Sequence, residues 1–275
     1  MSDRIVRGLI TPIRALGLMW HVAKGVLIVA ILFPYAKPKE RDVLIRRWSL
    51  DCLRILNVHV RIRGDAPPPE ATAVMFVANH VSWLDILALN AVKRVRFVAK
   101  SEVRAWPVIG WLAARTGTLF LRRRHPGQLI QVNRSLQAAL KRGECVAIFP
   151  EGTTSDGRTV LRFHSGLLEP AVTSHSLVWP VALRYHTSDG QPAAIAAFVG
   201  EQTLVGSTWQ VLSQPALHMD LHFIPALAGS RHDRHELAQR TRAAILSKLS
   251  AGSQLLAPNQ AASSLDRPDD CSAAA

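Results

Sequence analysis

The chain has 275 residues, which is enough for one large domain or two small ones, and hydrophobic residues make up 48% of it. Its 33 lysines and arginines outnumber its 20 aspartates and glutamates, so the formal net charge is +13. This charge favours an anionic partner. Because the sequence has neither zinc-finger spacing nor an aromatic RNA-binding motif, we expect an anionic membrane surface or a phosphate-rich ligand and no nucleic acid.

The cysteines are few and far apart along the chain. Cys52, Cys145 and Cys271 are odd in number and lie in three unrelated sequence contexts. They therefore predict neither a disulfide framework nor a metal site, and they suit a reducing cytosolic setting. Cys145 stands in an apolar run, which favours a packing role over a nucleophilic one.

The N-terminal stretch is the most apolar part of the chain. Leu16–Pro34 contains the uninterrupted run Gly25–Phe33, whereas a bilayer span needs about 20 apolar residues and His21 and Lys24 interrupt the first half. We expect residues 1–40 to form a membrane-associated helical segment. Basic residues flank it on both sides, and the heavier group after it favours a catalytic domain on the cytoplasmic face of the cell membrane. A re-entrant or interfacial helix and a core helix of a soluble protein remain alternatives.

Three elements are predicted before the first candidate site. Arg41–Leu56 has an apolar stripe at helical spacing, and Val58–Gly64 alternates apolar and polar residues as a half-buried strand does. A proline-rich turn then leads into Ala73–Ala78, whose apolar residues are typical of a buried strand.

A histidine and a carboxylate follow this buried strand, five positions apart. On one continuous helix, His80 and Asp85 would differ by roughly 140° and would not share a face. Ser82 is a plausible N-cap for a helix over Trp83–Asn90, which places His80 in the preceding turn, where Asp85 can orient its ring. A neutral imidazole held by a carboxylate can deprotonate a hydroxyl, as in general-base acyl transfer. The alternative is a capping-box variant with no chemistry.

Strands and helices alternate through the rest of the chain. Further strands are predicted at Val95–Lys100, Gly117–Arg123, Glu144–Phe149, Val178–Leu183, Ala194–Val199 and Leu217–Ile224. Helices are predicted at Pro107–Ala114, Gln128–Lys141, Thr203–Leu212 and His232–Leu249. We therefore predict an α/β domain over residues 41–250 with a mixed central sheet flanked by helices, and a disordered tail over residues 251–275.

A polar loop follows one of these buried strands. Pro150–Gly157 begins where the apolar run Glu144–Phe149 ends, and strand-end loops commonly bind ligands in α/β proteins. His164, a little further on, lacks a carboxylate at useful spacing, so we expect it to contact a ligand or to stabilise the loop.

Four motifs occur in a fixed order along this chain. They are Asn79-His80-x4-Asp85, Gly117-x-x-Phe120-x-x-Arg123, Phe149-Pro150-Glu151-Gly152-Thr153 and x-Pro180-Val181. In this order they resemble the glycerolipid acyltransferase family that acylates lysophosphatidic acid. The resemblance covers roughly residues 45 to 225, and four ordered motifs are far more specific than any one of them.

The resemblance implies a role for each motif residue. His80 would be the general base and Asp85 its orienting partner, while Arg123 would contact an acceptor phosphate. Lys100 is a further phosphate contact, with a solvated strand end as the alternative. One departure is plain, because the family usually has arginine where this chain has Thr154. The acceptor-binding residues implied are Lys100, Arg123, Glu151, Gly152, Thr153 and Thr154.

The implied reaction moves a fatty acyl group from acyl-CoA or acyl-carrier protein to a lysolipid hydroxyl. We expect 1-acylglycerol-3-phosphate as the acceptor, giving phosphatidic acid, with a lyso-ornithine lipid as the alternative. No metal or redox cofactor is implied. The expected partners are membrane lipid, the lysolipid and the acyl thioester donor. A non-catalytic membrane-binding protein remains a rival, as does a hydrolase, although Ser165 lacks the Gly-x-Ser-x-Gly context of a nucleophile.

Overall fold

A mixed eight-stranded sheet forms the centre of the computed structural model, which describes residues 2–122 and 126–254. Its order is β1-β7-β6-β2-β5-β3-β4, with β8 pairing with the first residues of β6. The strands are β1 (Val58–Gly64), β2 (Val74–Ala78), β3 (Arg96–Lys100), β4 (Leu119–Leu121), β5 (Val146–Ile148), β6 (Leu177–His186), β7 (Leu217–Phe223) and β8 (Leu227–Ala228).

Helices cover both faces of this sheet. They are α1 (Ser2–Leu27), α2 (Pro38–Ile55), α3 (Leu84–Val92), α4 (Ile109–Arg115), α5 (Pro126–Lys141), α6 (Glu169–Thr173), α7 (Leu204–Leu212) and α8 (Arg234–Gln254). The predicted α/β fold with a mixed, helix-flanked sheet is confirmed. Helix α8 extends through Gln254, and the rest of the predicted tail, residues 255–275 with Cys271, lies outside the described residues, as does Arg123.

The five strands from β6 to β4 run parallel, whereas β7 runs antiparallel to β6. Strands β2 and β5 are direct neighbours, so the loops that follow them leave the same edge of the sheet. This is the edge at which open α/β sheets bind ligands. The His80 loop and the Glu151 loop therefore meet because of the strand order.

Strand β2 shows how the two sides of the core are built. All five of its residues are buried, as expected for a central parallel strand. Val74 and Phe76 join the apolar cluster formed with α2 and α3, while Met75 and Val77 join the cluster formed with α5 and α8. The strand that positions His80 is thus held by packing on both faces.

The predicted strand at Ala194–Val199 is wrong. This segment contains a short 3₁₀ turn, Ala194–Ala196, and the backbone nitrogen of Phe198 donates to the Val81 carbonyl at 2.9 Å. Its backbone hydrogen bonds therefore go to its own turn and to the loop after β2 instead of to the sheet. A short apolar run fits either use, because periodicity cannot separate a strand from a buried turn.

The N-terminal helix has one face on the protein and one face exposed. Ile10–Leu32, with a mean hydropathy of 2.0, is long and apolar enough to cross a membrane by length and composition. His21, which interrupts the apolar sequence, is buried, stacks on the Trp48 ring of α2 at 5.0 Å and bonds the Trp48 carbonyl at 2.9 Å. The outward face carries exposed Leu16 and Trp20.

Candidate active site

The loop after β2 is fastened to the neighbouring strand before His80 is reached. The buried Asn79 side chain donates to the Leu183 carbonyl at 3.0 Å and accepts from the Leu183 nitrogen at 2.8 Å. This pair of bonds mimics a step of strand pairing. It fixes the point at which the chain leaves the sheet.

His80 and Asp85 are in direct contact. His80 Nδ1 lies 2.8 Å from Asp85 Oδ2, and the same oxygen accepts from the backbone nitrogens of Val81 and Ser82 at 2.8 and 3.0 Å. Asp85 is fully buried, so its carboxylate is held by these donors and not by water. The turn between the two residues brings them together, as the residue spacing requires.

Ser82 is not the N-cap that we predicted. Helix α3 begins at Leu84, its N-cap is Trp83, and no side chain caps it. Asp85, in the first turn of the helix, accepts from the backbone nitrogens of Val81 and Ser82, which precede the N-cap, so its carboxylate stabilises the turn that leads into the helix. The Ser82 hydroxyl is buried beside the Tyr185 phenol.

An aromatic ring fixes the plane of the His80 imidazole. The ring stacks on Phe149 with centroids 4.0 Å apart and planes inclined by 12°, and Phe149 in turn lies against Phe97. Because Asp85 occupies Nδ1, the nitrogen left for a substrate is Nε2. The His80 side chain is 18% exposed, and it lines the main cavity.

Glu151 joins the two strand-end loops. It is 4% exposed, and its Oε1 accepts from the His80 nitrogen at 2.8 Å while its Oε2 accepts from the Leu161 nitrogen at 2.9 Å. Burial raises the pKa of this carboxyl, although the two backbone donors act in the opposite direction. The Ser155 nitrogen donates to the His80 carbonyl at 2.8 Å, so the loop holds both sides of His80.

The next three residues of the loop line the same cavity. Gly152 has φ +68°, a backbone conformation that favours glycine, and it lies beside the His164 ring. The Thr154 hydroxyl donates to the Phe198 carbonyl. Thr154, which replaces the arginine usual in the resembled family, thus bonds to the protein's own backbone. Thr153 is another wall residue.

One cavity of about 1680 Å³ connects these residues. Drug-sized ligand sites measure roughly 300–1,000 Å³, so this volume suits a lipid. Apolar residues of α1 and α2 line one part of it, among them Leu18, Val22, Ile45 and Trp48. Polar residues line another part, among them Lys100, Arg162, His164, His235 and Arg242.

The structure also reveals a residue that the motifs did not indicate. Tyr185, near the end of β6, is buried, and its hydroxyl donates to Asp85 Oδ1 at 2.6 Å. Burial and the neighbouring carboxylate hold the pKa of this phenol well above its usual value. Alternation along β6 predicts that Tyr185 faces the same side as Leu183, but it does not predict a contact 100 residues away in sequence.

The described thiols do not suit nucleophilic chemistry. Burial raises the pKa of Cys52 to about 12 and also raises that of Cys145. Over residues 2–122 and 126–254, no group of three or more histidine, cysteine or acidic side chains is arranged to hold a metal ion.

Comparison with known proteins gives three related findings. Residues 59–184 match a family model described as acyltransferase. The chain is 38% identical over 205 residues to the lyso-ornithine lipid O-acyltransferase of Pseudomonas aeruginosa (74% of this chain, 78% of that protein). It is 33% identical over 211 residues to the 1-acyl-sn-glycerol-3-phosphate acyltransferase of Neisseria gonorrhoeae (76% and 81%).

A solved structure resembles the chain in fold. It is the crystal structure of the 1-acyl-sn-glycerophosphate acyltransferase of Thermotoga maritima, with a TM-score of 0.63 and 21% identity. The match covers 88% of this chain and 97% of that one, so it includes the helices outside residues 59–184.

Proposed function

Because the chain belongs to the acyltransferase family and acts on lysolipids, we propose that it transfers a fatty acyl group from a thioester to the free hydroxyl of 1-acylglycerol-3-phosphate. The observation that carries the proposal is the His80–Asp85 contact at 2.8 Å, with His80 lining a lipid-sized cavity. The product is phosphatidic acid.

The proposed chemistry needs no covalent enzyme intermediate. His80 Nε2 takes the proton of the acceptor hydroxyl while the hydroxyl oxygen attacks the thioester carbonyl. Asp85 stabilises the imidazolium that forms, and its bond to Nδ1 keeps the neutral ring in the tautomer that can accept a proton at Nε2. The tetrahedral intermediate then breaks its carbon–sulfur bond, and the departing thiolate takes the proton from His80. The donor is acyl-CoA or acyl-carrier protein.

The charges around the cavity support an anionic head group. Arg162 and Arg242 are wall residues. Among the described wall residues the only carboxylate is Glu151, and two backbone N–H groups occupy its oxygens. An ammonium head group would find no free carboxylate there, whereas a phosphate would find the exposed Arg162 guanidinium. Arg242 already donates to the Val160 and Leu161 carbonyls. Gly152, Thr153 and Lys100 belong to the same proposed acceptor site, together with Arg123, which lies outside the described residues.

A lyso-ornithine lipid is the second candidate acceptor. The relative at 38% identity is named for that activity, and Thr154 supplies a hydroxyl where an arginine would supply a charged phosphate clamp. This hydroxyl is already bonded to the Phe198 carbonyl. A head group with a single carboxylate makes weaker demands on the site than a phosphate does.

We further propose that Ile10–Leu32 holds the enzyme at the cell membrane with the catalytic domain on the cytoplasmic face. The exposed apolar side chains on the outer face of α1 support this location. The basic residues that follow the segment, from Lys37 to Arg47, suit the anionic cytoplasmic leaflet.

Thiol release in mixed micelles tests the proposal. The full chain is given acyl-CoA or acyl-carrier protein as donor, with lysophosphatidic acid, lyso-ornithine lipid or no acceptor. We expect release that depends on the acceptor and a higher kcat/KM for lysophosphatidic acid. A higher kcat/KM for lyso-ornithine lipid would replace the acceptor assignment, and equal release without acceptor would indicate a hydrolase.

A further inference from the structure

Asp85 accepts four hydrogen bonds, and one of them comes from a distant strand. Oδ2 accepts hydrogen bonds from His80 Nδ1 and from the backbone nitrogens of Val81 and Ser82. Oδ1 accepts a hydrogen bond from the Tyr185 hydroxyl at 2.6 Å. Among the described residues, the Tyr185 phenol is the side-chain hydrogen-bond donor to Oδ1, the oxygen that His80 does not contact. With both oxygens held, the carboxylate cannot rotate away from the imidazole.

The position of this phenol is coupled to the loop that carries His80. Tyr185 lies two residues after Leu183, whose backbone nitrogen and carbonyl are both bonded to the Asn79 side chain. Asn79 immediately precedes His80. A strand shift that moved the phenol would therefore break the Asn79 bonds as well, so the register of β6 is tied to the geometry of the catalytic loop.

We propose that Tyr185 is a positioning residue for acyl transfer, which holds Asp85 so that His80 keeps its proton on Nδ1 and presents Nε2 to the acceptor hydroxyl. The inference rests on the proposed role of His80 as base. It differs from a packing role, because the hydroxyl and not the ring is the part that acts.

The charged groups around the pair give the direction of the effect. Glu151 faces His80 from the loop after β5, Asp85 from the start of α3, and Tyr185 lies behind Asp85 on β6. The phenol stays protonated, because burial and Asp85 raise its pKa. Its hydrogen bond disperses the charge of Asp85. Removing the bond concentrates that charge and makes protonation of the imidazole easier.

The first variant is Tyr185→Phe, with kcat measured against pH. We expect kcat to fall by about tenfold, because a hydrogen bond to a charged group is lost. The acid limb of the profile should move to higher pH, while KM for the acceptor stays within about twofold. Tyr35→Phe is the matched control, because Tyr35 is the other of the two tyrosines, is 88% exposed and should lose its hydroxyl without effect.

A second measurement covers the case in which Tyr185→Phe does not fold. In the Tyr35→Phe background, biosynthetic 3-fluorotyrosine enters the chain at position 185 alone and makes the phenol a stronger donor. We expect the acid limb to move to lower pH, opposite to the shift of Tyr185→Phe. In a double-mutant cycle, Tyr185→Phe should change kcat little once Asp85→Asn is present.

The outcomes separate this inference from the proposed function. If His80→Ala is inactive while folded Tyr185→Phe and the fluorotyrosine protein keep the wild-type kcat and pH profile, Tyr185 is a packing residue and the inference fails. If His80→Ala remains active, the role of His80 itself is wrong. Additive losses in the cycle with Asp85→Asn would also overturn the inference.

Discussion

The carboxylate of Glu151 accepts a hydrogen bond from the backbone nitrogen of His80 at 2.8 Å. The motif that contains Glu151 lies 71 residues after His80 in sequence, and the bond forms because β2 and β5 are neighbours. Since the second oxygen accepts from the Leu161 nitrogen, we expect this carboxylate to position the loop that carries His80.

Glu151→Gln should therefore weaken both the fold and catalysis. The amide keeps one acceptor oxygen, and its NH₂ group faces a backbone N–H, which leaves one buried donor unsatisfied at about 1–3 kcal/mol. We expect urea unfolding to show this loss and kcat to fall several-fold. Glu144→Gln is the control, because Glu144 bonds the Arg96 and Arg142 side chains and is partly exposed. If both variants behave alike, the positioning role is incorrect.

Arg162→Ala should raise KM for lysophosphatidic acid. Arg162 is exposed and lines the cavity, where it can meet the acceptor phosphate. Loss of a charge-assisted hydrogen bond predicts an increase of about tenfold in KM with little change in kcat. Arg158→Ala is the control, since Arg158 lies beside Asp156 and is not a wall residue. An unchanged KM in steady-state assays would remove Arg162 from the acceptor site.

The outer face of α1 should anchor the protein in lipid. The double variant Leu16→Asp and Trp20→Asp changes two exposed apolar side chains, whereas a deletion would also remove the cavity residue Leu18. In 1 M salt, surface electrostatics is screened, so only apolar insertion keeps a protein on the vesicles. We expect the double variant to be largely released from sedimented vesicles under this condition, whereas the wild type stays bound. Ile62→Asp, at an exposed position on β1, should sediment as the wild type does. Salt release of the wild type would contradict insertion.

A row of stacked imidazoles should make stability fall at mildly acidic pH. His218 stacks on His59 and His186. Burial is the largest cause that lowers the pKa of His218 below 6.5, and the two neighbouring imidazoles lower it further. His218 therefore binds a proton more readily in the unfolded chain than in the folded protein. The contribution of His218 to folding stability is fully present above about pH 6.5 and is lost as pH falls through its lower pKa in the folded state. Arg61 acts in the same direction and Asp220 opposes it.

His218→Gln should flatten this dependence. We expect the urea midpoint to fall less between about pH 7.5 and 5.5 in the variant than in the wild type. His175→Asn is the control, since His175 lies outside the stack and its positive φ suits asparagine. Equal pH slopes in all three proteins would contradict the assignment.

The parts of the site that were predictable are local in sequence. His80 and Asp85 lie five residues apart at the end of an apolar strand, so a turn alone brings them together. The same local reasoning chose Ser82 as the N-cap and was wrong, because the helix begins at Leu84 after Trp83 and no side chain caps it. The short buried strands and the crossover helix α5 were likewise predictable from apolar periodicity.

The parts that escaped prediction depend on contacts across the fold. Tyr185 reaches Asp85 from a strand 100 residues later, and Thr154 reaches Phe198 across 44 residues. His21 looked like an interruption of an apolar span, yet it is buried against Trp48. No residue pattern in the sequence specifies these pairs, since each one depends on how the strands and helices are ordered in space.

The most direct test of the account is acyl transfer by purified His80→Ala, measured as thiol released in the presence of lysophosphatidic acid. We predict a loss of about 10²–10⁴-fold in kcat in a variant that stays folded and membrane-bound, and nearly as large a loss for Asp85→Asn. His164→Ala, at the other histidine that packs against the Glu151 loop, should retain kcat within about tenfold. If folded His80→Ala keeps more than about a tenth of the wild-type turnover, His80 is not the general base.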